Sequence, residues 1–330
     1  MDFYIHFINS ISSIYLVLIT AFFIFLLTRG ADYAVDGAVE LSQALNLSPL
    51  VIGATVVSIG TTLPETFVSV MAAWSNNPGL ALGNGVGSII ADTALILGGS
   101  CILFKVPIDR FVLNRTGWVQ FFSATLLVVI SLIQKYVFHN PILNRWVGVL
   151  FIFLLIVYLY FTYKWSKHSI LFHPSQDKKT SKLKAFIKVF IGLFLVIISS
   201  KFLILTVQEL ARRIGVPEDV IAATIVAFGT SLPEFMTAIT AGRKGHPEIM
   251  VGNIVGADVL NCFFVIGASA LATPLNIPEN FYHLHFPAML IILYSFRFFI
   301  SINKRKKFFP KWQGAYLLLI YLIYIFIQYK

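Results

Sequence analysis

Charge is scarce in this chain. Only 12% of its 330 residues are Asp, Glu, Lys or Arg, about half the 25% usual in soluble domains. Polar stretches are equally rare, and the one long basic segment is 164–184, KWSKHSILFHPSQDKKTSKLK. This poverty excludes an ordinary soluble globular protein. Cysteine is nearly missing: Cys101 and Cys262 both lie in apolar surroundings, so buried free thiols are expected rather than a disulfide framework. The seven histidines show no metal-ligand spacing. No Gly-x-x-x-x-Gly-Lys-Ser/Thr loop occurs, which argues against an ATP-driven pump and against a nucleotide partner. The first apolar run ends in Arg29-Gly30-Ala31-Asp32 without a small-residue cleavage site after a basic start. That argues against a removed signal peptide.

What the chain has is hydrophobic length. Apolar residues make up 58% of it, gathered in runs long enough for helices that cross roughly 30 Å of hydrocarbon. The expected spans are 13–40, 48–74, 79–104, 117–134, 144–163, 185–211, 217–242, 248–273, 282–301 and 312–329. The fold class is therefore an all-α polytopic membrane protein of about ten transmembrane helices, with the lipid bilayer as its first partner. The net charge of +10 reads as cytoplasmic loops rather than a nucleic-acid surface. With both termini outside, the inside loops hold sixteen basic residues and the outside loops and termini five. That bias places the central loop in the cytoplasm of a cell whose plasma membrane the chain spans.

The halves repeat. A shift of 169 residues aligns Glu40 with Glu209, Thr55 with Thr224, Pro64-Glu65 with Pro233-Glu234, Pro78 with Pro247, and Gly83-Asn84 with Gly252-Asn253. The match keeps glycine, proline and glutamate in register without a gap, so shared apolar composition does not account for it. The expected organisation is a first repeat at 1–163, the basic linker 164–184 and a second repeat at 185–330. Five spans per half, an odd number, put the second repeat in the membrane upside down. Inverted repeats of this kind place a binding site at their interface near the midplane.

Two matched motifs carry the chemistry: Gly60-Thr61-Thr62-Leu63-Pro64-Glu65 and Gly229-Thr230-Ser231-Leu232-Pro233-Glu234. A carboxylate inside an apolar span is costly unless it faces a cavity, a partner or an ion. Pro64 offers no N–H to the carbonyl of Gly60, and Pro233 none to that of Gly229. Thr61 and Thr230 precede their glutamates by four residues and share their helix face. Hydroxyl, carbonyl and carboxylate oxygens together make a hard-cation set, suited to calcium or sodium. Downstream stand Ser88 and Asp92, four apart on one face. Asp92 matches Asn261 under the shift, Ser88 matches Ala257, and Asp258, one residue off that face, either enters the site or caps its edge. Asn84 and Asn253, beside glycines, read as bridges between helices. Glu40 and Glu209, near span ends, read as snorkelling helix-end residues or salt-link partners rather than ion ligands, while Arg29, Asp32 and Asp36 can satisfy one another along one helix.

With these residues in view, the segments 40–102 and 209–271 resemble the two α-repeats of the cation/calcium exchanger superfamily, and most closely its bacterial sodium/calcium exchangers. The resemblance implies that Glu65 and Glu234 are the central ion ligands, with Thr61, Thr62, Thr230 and Ser231 beside them and backbone carbonyls at Ser58 and Ala227. Two departures stand out. The family often carries Ser-Asn after the last glycine of each repeat, where this chain has Ser88-Ile89 and Ala257-Asp258. The acid at Asp92 facing an amide at Asn261 reverses the arrangement in some relatives.

The expected function is a secondary antiporter that exchanges calcium for sodium, a transporter and not an enzyme, with inorganic cations as cargo and no cofactor. A proton-coupled calcium exchanger stays open as an alternative, and a cation channel is a more distant one. The sequence leaves the oligomeric state open.

Overall fold

In a computed structural model, residues 8, 10–108, 112–166, 181–215, 229–303 and 306–328 are described. Most of the 164–184 linker and the expected carbonyl ligand Ala227 lie outside them. Ten helices follow in order: α1 Ser13–Leu45, α2 Pro49–Trp74, α3 Pro78–Leu103, α4 Val112–Tyr136, α5 Arg145–Ser166, α6 Lys182–Arg213, α7 Leu232–Arg243, α8 Pro247–Ala272, α9 Phe281–Ile302 and α10 Lys311–Gln328. Among the described residues, nine of them are long and apolar enough to cross a membrane. Only α7, at Leu232–Arg243, is too short by itself.

Contacts between loops settle the parity of the crossings. A two-residue strand after α4, β1 Ile142–Leu143, pairs antiparallel with β2 Leu275–Asn276 after α8. Two loops that pair must lie on one side of the membrane, so an even number of crossings separates them. The helices α5, α6 and α8 supply three. The expected seventh span, 217–242, lies partly outside the described residues. Lys135 and Glu279 join the same two loops by an ion pair, and the lysine holds the Glu279 carboxyl below its usual range. On the opposite face Pro107 bridges Phe308.

The duplication is visible in the helices. The helices α1 and α3 begin at Ser13 and Pro78, and α6 and α8 begin at Lys182 and Pro247. Each start recurs 169 residues later. Both α3 and α8 loosen into a π-helical stretch, at Ala91–Leu97 and Asn261–Ile266, and resume as α-helix at Gly98 and Gly267. A π-helical stretch also interrupts α2, at Gly53–Val57. Such stretches gather at functional sites, because each extra residue per turn re-aims the side chains that follow.

Glycines set the spacing of the two main contacts. The helices α1 and α6 pack along much of their length, with a Cβ on Gly192 only 2.3 Å from the backbone nitrogen of Ala34 and one on Gly37 2.6 Å from that of Val189. Across the core, a Cβ on Gly252 would fall 2.0 Å from the Leu50 carbonyl oxygen, and one on Gly256 2.6 Å from that of Ala54. Backbone-to-backbone approach of this kind is how membrane helices gain packing without a hydrophobic drive between them. It seats α8, buried on every side from Ile249 to Leu260, directly against α2. The matching Gly83 and Gly87 make no such close contact with described residues.

Ion pairs tie the ends. Lys188 meets Glu40 at 2.6 Å between α6 and α1, and Arg213 meets Glu209 at 2.8 Å while reaching the carbonyls of Ile8 and Ile11. Both glutamates are salt-link partners, as expected. The aspartates of α1 differ from expectation: Asp32 and Asp36 pair with Lys244 at the end of α7, at 3.4 and 2.7 Å, while Arg29 lies over the ring of Phe25. The tight α1–α6 contact leaves these carboxylates facing a groove, where a cation from the next helix reaches them first.

Candidate functional site

The two proline motifs meet beside α8, yet they are not folded alike. Pro64 sits inside the α-helical run Ser58–Trp74, so the Gly60 carbonyl lacks its helical donor. Pro233 instead occupies the first turn of α7, where a missing N–H costs nothing, with Thr230 and Ser231 in the turn ahead of it. The two motifs differ in what is described: the α-helix continues through Pro64, whereas helical Gly229 is followed by a turn at Thr230-Ser231 before α7 begins, and the residues ahead of Gly229 lie outside the described ones.

Ser58, Thr61, Thr62, Glu65, Ser88, Asp92, Ser231, Glu234, Asp258 and Asn261 are all buried. Thr230 is half-buried. Glu65 acts electrostatically on Glu234, Asp92 on Glu65, and Glu234 and Asp258 on Asp92. The hydroxyls of Thr61 and Thr62 come near the Glu234 carboxylate without completing a hydrogen bond to it. Thus side chains from both repeats converge in the middle of the helix bundle, as an inverted repeat requires.

Their oxygens are largely unpartnered. Buried atoms without a hydrogen-bond partner in the protein include Thr62 Oγ1, Glu65 Oε2, both carboxylate oxygens of Glu234, Asp92 Oδ1, Asp258 Oδ1 and Asn261 Oδ1. Buried polar atoms are ordinarily paired, and a cluster of exceptions marks a place that binds something. None of the ion pairs among the described residues involves Glu65, Asp92, Glu234 or Asp258. The cluster is thus rich in oxygen and poor in protein cations, which suits a hard metal ion. Among the described residues, no three acidic, histidine or cysteine side chains close on a single point as a metal cage. An ion here would need hydroxyl and carbonyl oxygens to complete its shell.

Asparagines hold the frame. Asn84 donates to the Glu65 carbonyl at 3.0 Å and to Ser69 at 2.9 Å. Asn253 donates to Thr237 at 3.0 Å and accepts from Thr61 at 3.3 Å, so it links α2 to α7 through α8. Both are bridges, as their glycine-rich setting suggested. Sequence reasoning missed Thr93, Gln120, Thr237 and Tyr158. Thr93 and Gln120 both donate to Asp258, and Tyr158 reaches the carbonyl of Ala54 at 3.3 Å, beside the π-helical stretch of α2. The only sequence signal for Gln120 was an amide alone inside an apolar run.

Comparison with known proteins agrees with this geometry. The family described as "Sodium/calcium exchanger protein" matches residues 15–164 and 184–330. The sodium/calcium exchanger MaX1 of Methanosarcina acetivorans is 27% identical over 91% of this chain and 94% of its own length. The inner membrane protein YrbG of Escherichia coli is 32% identical over 81% of this chain and 83% of its own. Among solved structures, the sodium-calcium exchanger NCX_Mj soaked with zero Na+ and Ca2+ superposes with a TM-score of 0.82 at 26% identity. The superposition covers 96% of this chain and all of that one.

Proposed function

The chain belongs to the sodium/calcium exchanger protein family, and on that premise we propose that it is a secondary antiporter that exchanges calcium for sodium across the plasma membrane by alternating access. The observation that carries this reading is the pair Glu65 and Glu234. They stand at matched positions of the two repeats, are buried in the bundle, and have orphaned oxygens and no protein cation beside them. Glu65, Glu234 and Asp92 supply the charge, while Thr61, Thr62, Ser58 and Ser231 stand beside the pair as candidate neutral oxygen ligands.

Coupling follows from competition. Clustered carboxylates in a low dielectric repel one another when nothing neutralises them. One calcium with a monovalent cation balances three carboxylates, and so do several sodium ions. A bundle that changes access only when balanced exchanges one load for the other. The pair α1 and α6, which contributes none of the clustered carboxylates Glu65, Asp92, Glu234 and Asp258, is suited to slide over the core as the gate.

The test is radioactive calcium uptake into proteoliposomes preloaded with sodium and diluted into sodium-free buffer, beside Glu65→Gln and Glu234→Gln. Uptake that needs the outward sodium gradient and vanishes in both variants supports the exchanger and its ligand pair. Uptake that follows an imposed pH gradient and ignores sodium replaces sodium coupling with proton coupling.

A further inference from the structure

Outside the carboxylate cluster, one buried cation has no ion pair among the described residues. Arg297, on α9, is only 6% exposed. Its Nη2 donates to Asn114 Oδ1 on α4 at 2.8 Å, and its guanidinium carbon stands 4.2 Å from the centre of the Trp118 ring. Nε and Nη1 are buried without a hydrogen-bond partner. A guanidinium carries five N–H donors, and a buried donor left unmet is costly. An arginine inside a membrane span is kept where something answers its charge.

Depth and surroundings point to the kind of group that suits it. Arg297 lies five residues before the end of α9 at Ile302, roughly 7 Å at about 1.5 Å per residue. Asn114 lies two residues into α4. This is the depth at which headgroups meet hydrocarbon and tryptophan gathers, and Trp118 is 51% exposed there. Trp118 meets Phe121 edge-on at 5.4 Å, and Phe121 stacks on Tyr294 at 4.4 Å. A row of rings thus runs from the guanidinium into the span along the seam of α4 and α9. The chain around the seam is basic. Segments 104–115 and 297–311 hold nine lysines and arginines and one acid, Asp109, which lies outside the described residues. Lys105, Lys306, Lys307 and Lys311 are exposed. Basic clusters beside a span attract anionic headgroups.

We propose that Arg297, oriented by Asn114, binds the phosphate of an anionic phospholipid headgroup at the seam of α4 and α9, with an acyl chain along the Trp118–Phe121–Tyr294 row. A planar guanidinium fork matches phosphate oxygens as an ammonium does not. The half-exposed Trp118 indole, stacked on the guanidinium, is the cover that turns aside as the phosphate enters. Neither α4 nor α9 carries one of the four clustered carboxylates, so the site stands or falls apart from the exchanger reading.

The test is thermal unfolding of the purified full-length protein in neutral detergent, titrated with dioctanoyl phosphatidylglycerol, dioctanoyl phosphatidylcholine or inorganic phosphate. Retained phospholipid is counted by mass spectrometry of the intact protein. Wild type is compared with Arg297→Gln and Arg297→Lys, each first checked for monodisperse elution. Arg297→Lys keeps the net charge, so it separates a fitted site from general attraction to a basic face, and it carries the comparison if Arg297→Gln does not fold. Phosphatidylglycerol should raise the wild type's melting point more than phosphatidylcholine does. Both variants should bind it about tenfold more weakly or worse. An equal phosphatidylglycerol response in wild type and the folded variants overturns the proposal and leaves Arg297 as a packing residue. An Arg297-dependent rise of the same size from inorganic phosphate alone overturns the lipid as its source.

Discussion

At the scale of single residues, no ion pair among the described residues compensates Glu65 or Glu234. Removing one charged partner from a buried ionic contact costs about 2–5 kcal/mol, so Glu65→Gln and Glu234→Gln should each lower sodium-driven calcium uptake by about 30-fold or more. A ligand that binds only the folded state stabilises it by about 2.7 kcal/mol at a hundredfold excess over Kd. Calcium should therefore raise the wild type's melting point and leave both variants flat. Asn253→Leu removes the cross-helix bonds to Thr61 and Thr237 together, leaving their hydroxyls only the backbone bonds within their own helices. It should cost about 1–3 kcal/mol, read from thermal unfolding in ion-free buffer. The glutamates were legible in the sequence because a charge inside an apolar run has few explanations. The Asp258 corner was not, because its donors lie 165 and 138 positions away. Nor does a 3.6-residue period hold through the π-helical turns that carry Asp92 and Asn261.

At the scale of helices, backbone approach decides both what packs and what moves. Gly192→Ala would put a methyl group into the Ala34 backbone. Overpacking of this kind costs about 1–3 kcal/mol, so the variant should melt earlier and exchange more slowly. Pro64→Ala should act oppositely on stability, since it returns a donor to the Gly60 carbonyl inside a helix where proline costs about 3 kcal/mol. A higher melting point with weaker calcium uptake would show that the strained carbonyl serves the ion. Nine of the spans were readable to within about five residues, the seventh lying partly outside the described residues, and the start of α8 at Pro247 was marked by its proline. What the sequence left hidden was the difference between Pro64 and Pro233. Matched motifs predict matched residues, but whether a helix continues through a proline depends on the neighbours that secure the turn before it.

At the scale of the whole molecule, the loop pairings show which loops share a face, and the orientation expected from the basic bias is open to direct test. The buried positions of Cys101 and Cys262 leave little background for thiol labelling. In intact cells a membrane-impermeant maleimide should therefore label His139→Cys, and should label Ser181→Cys only after permeabilisation. The reverse pattern would turn the molecule over. The Lys244 contacts to Asp32 and Asp36 join α7 to the α1–α6 pair near the surface. Such half-exposed pairs contribute at most about 1 kcal/mol, so Lys244→Ala should barely move the melting point. It should change the uptake rate at low salt more than at high salt. The 169-residue recurrence of helix starts has one more consequence. In a perfectly repeated chain, the state open to one side and the state open to the other would be the same object seen from opposite faces, equally populated at rest. Every position where the halves differ is thus a weight on that balance, and about 1.4 kcal/mol of such difference sets a tenfold preference for which side an unloaded molecule faces.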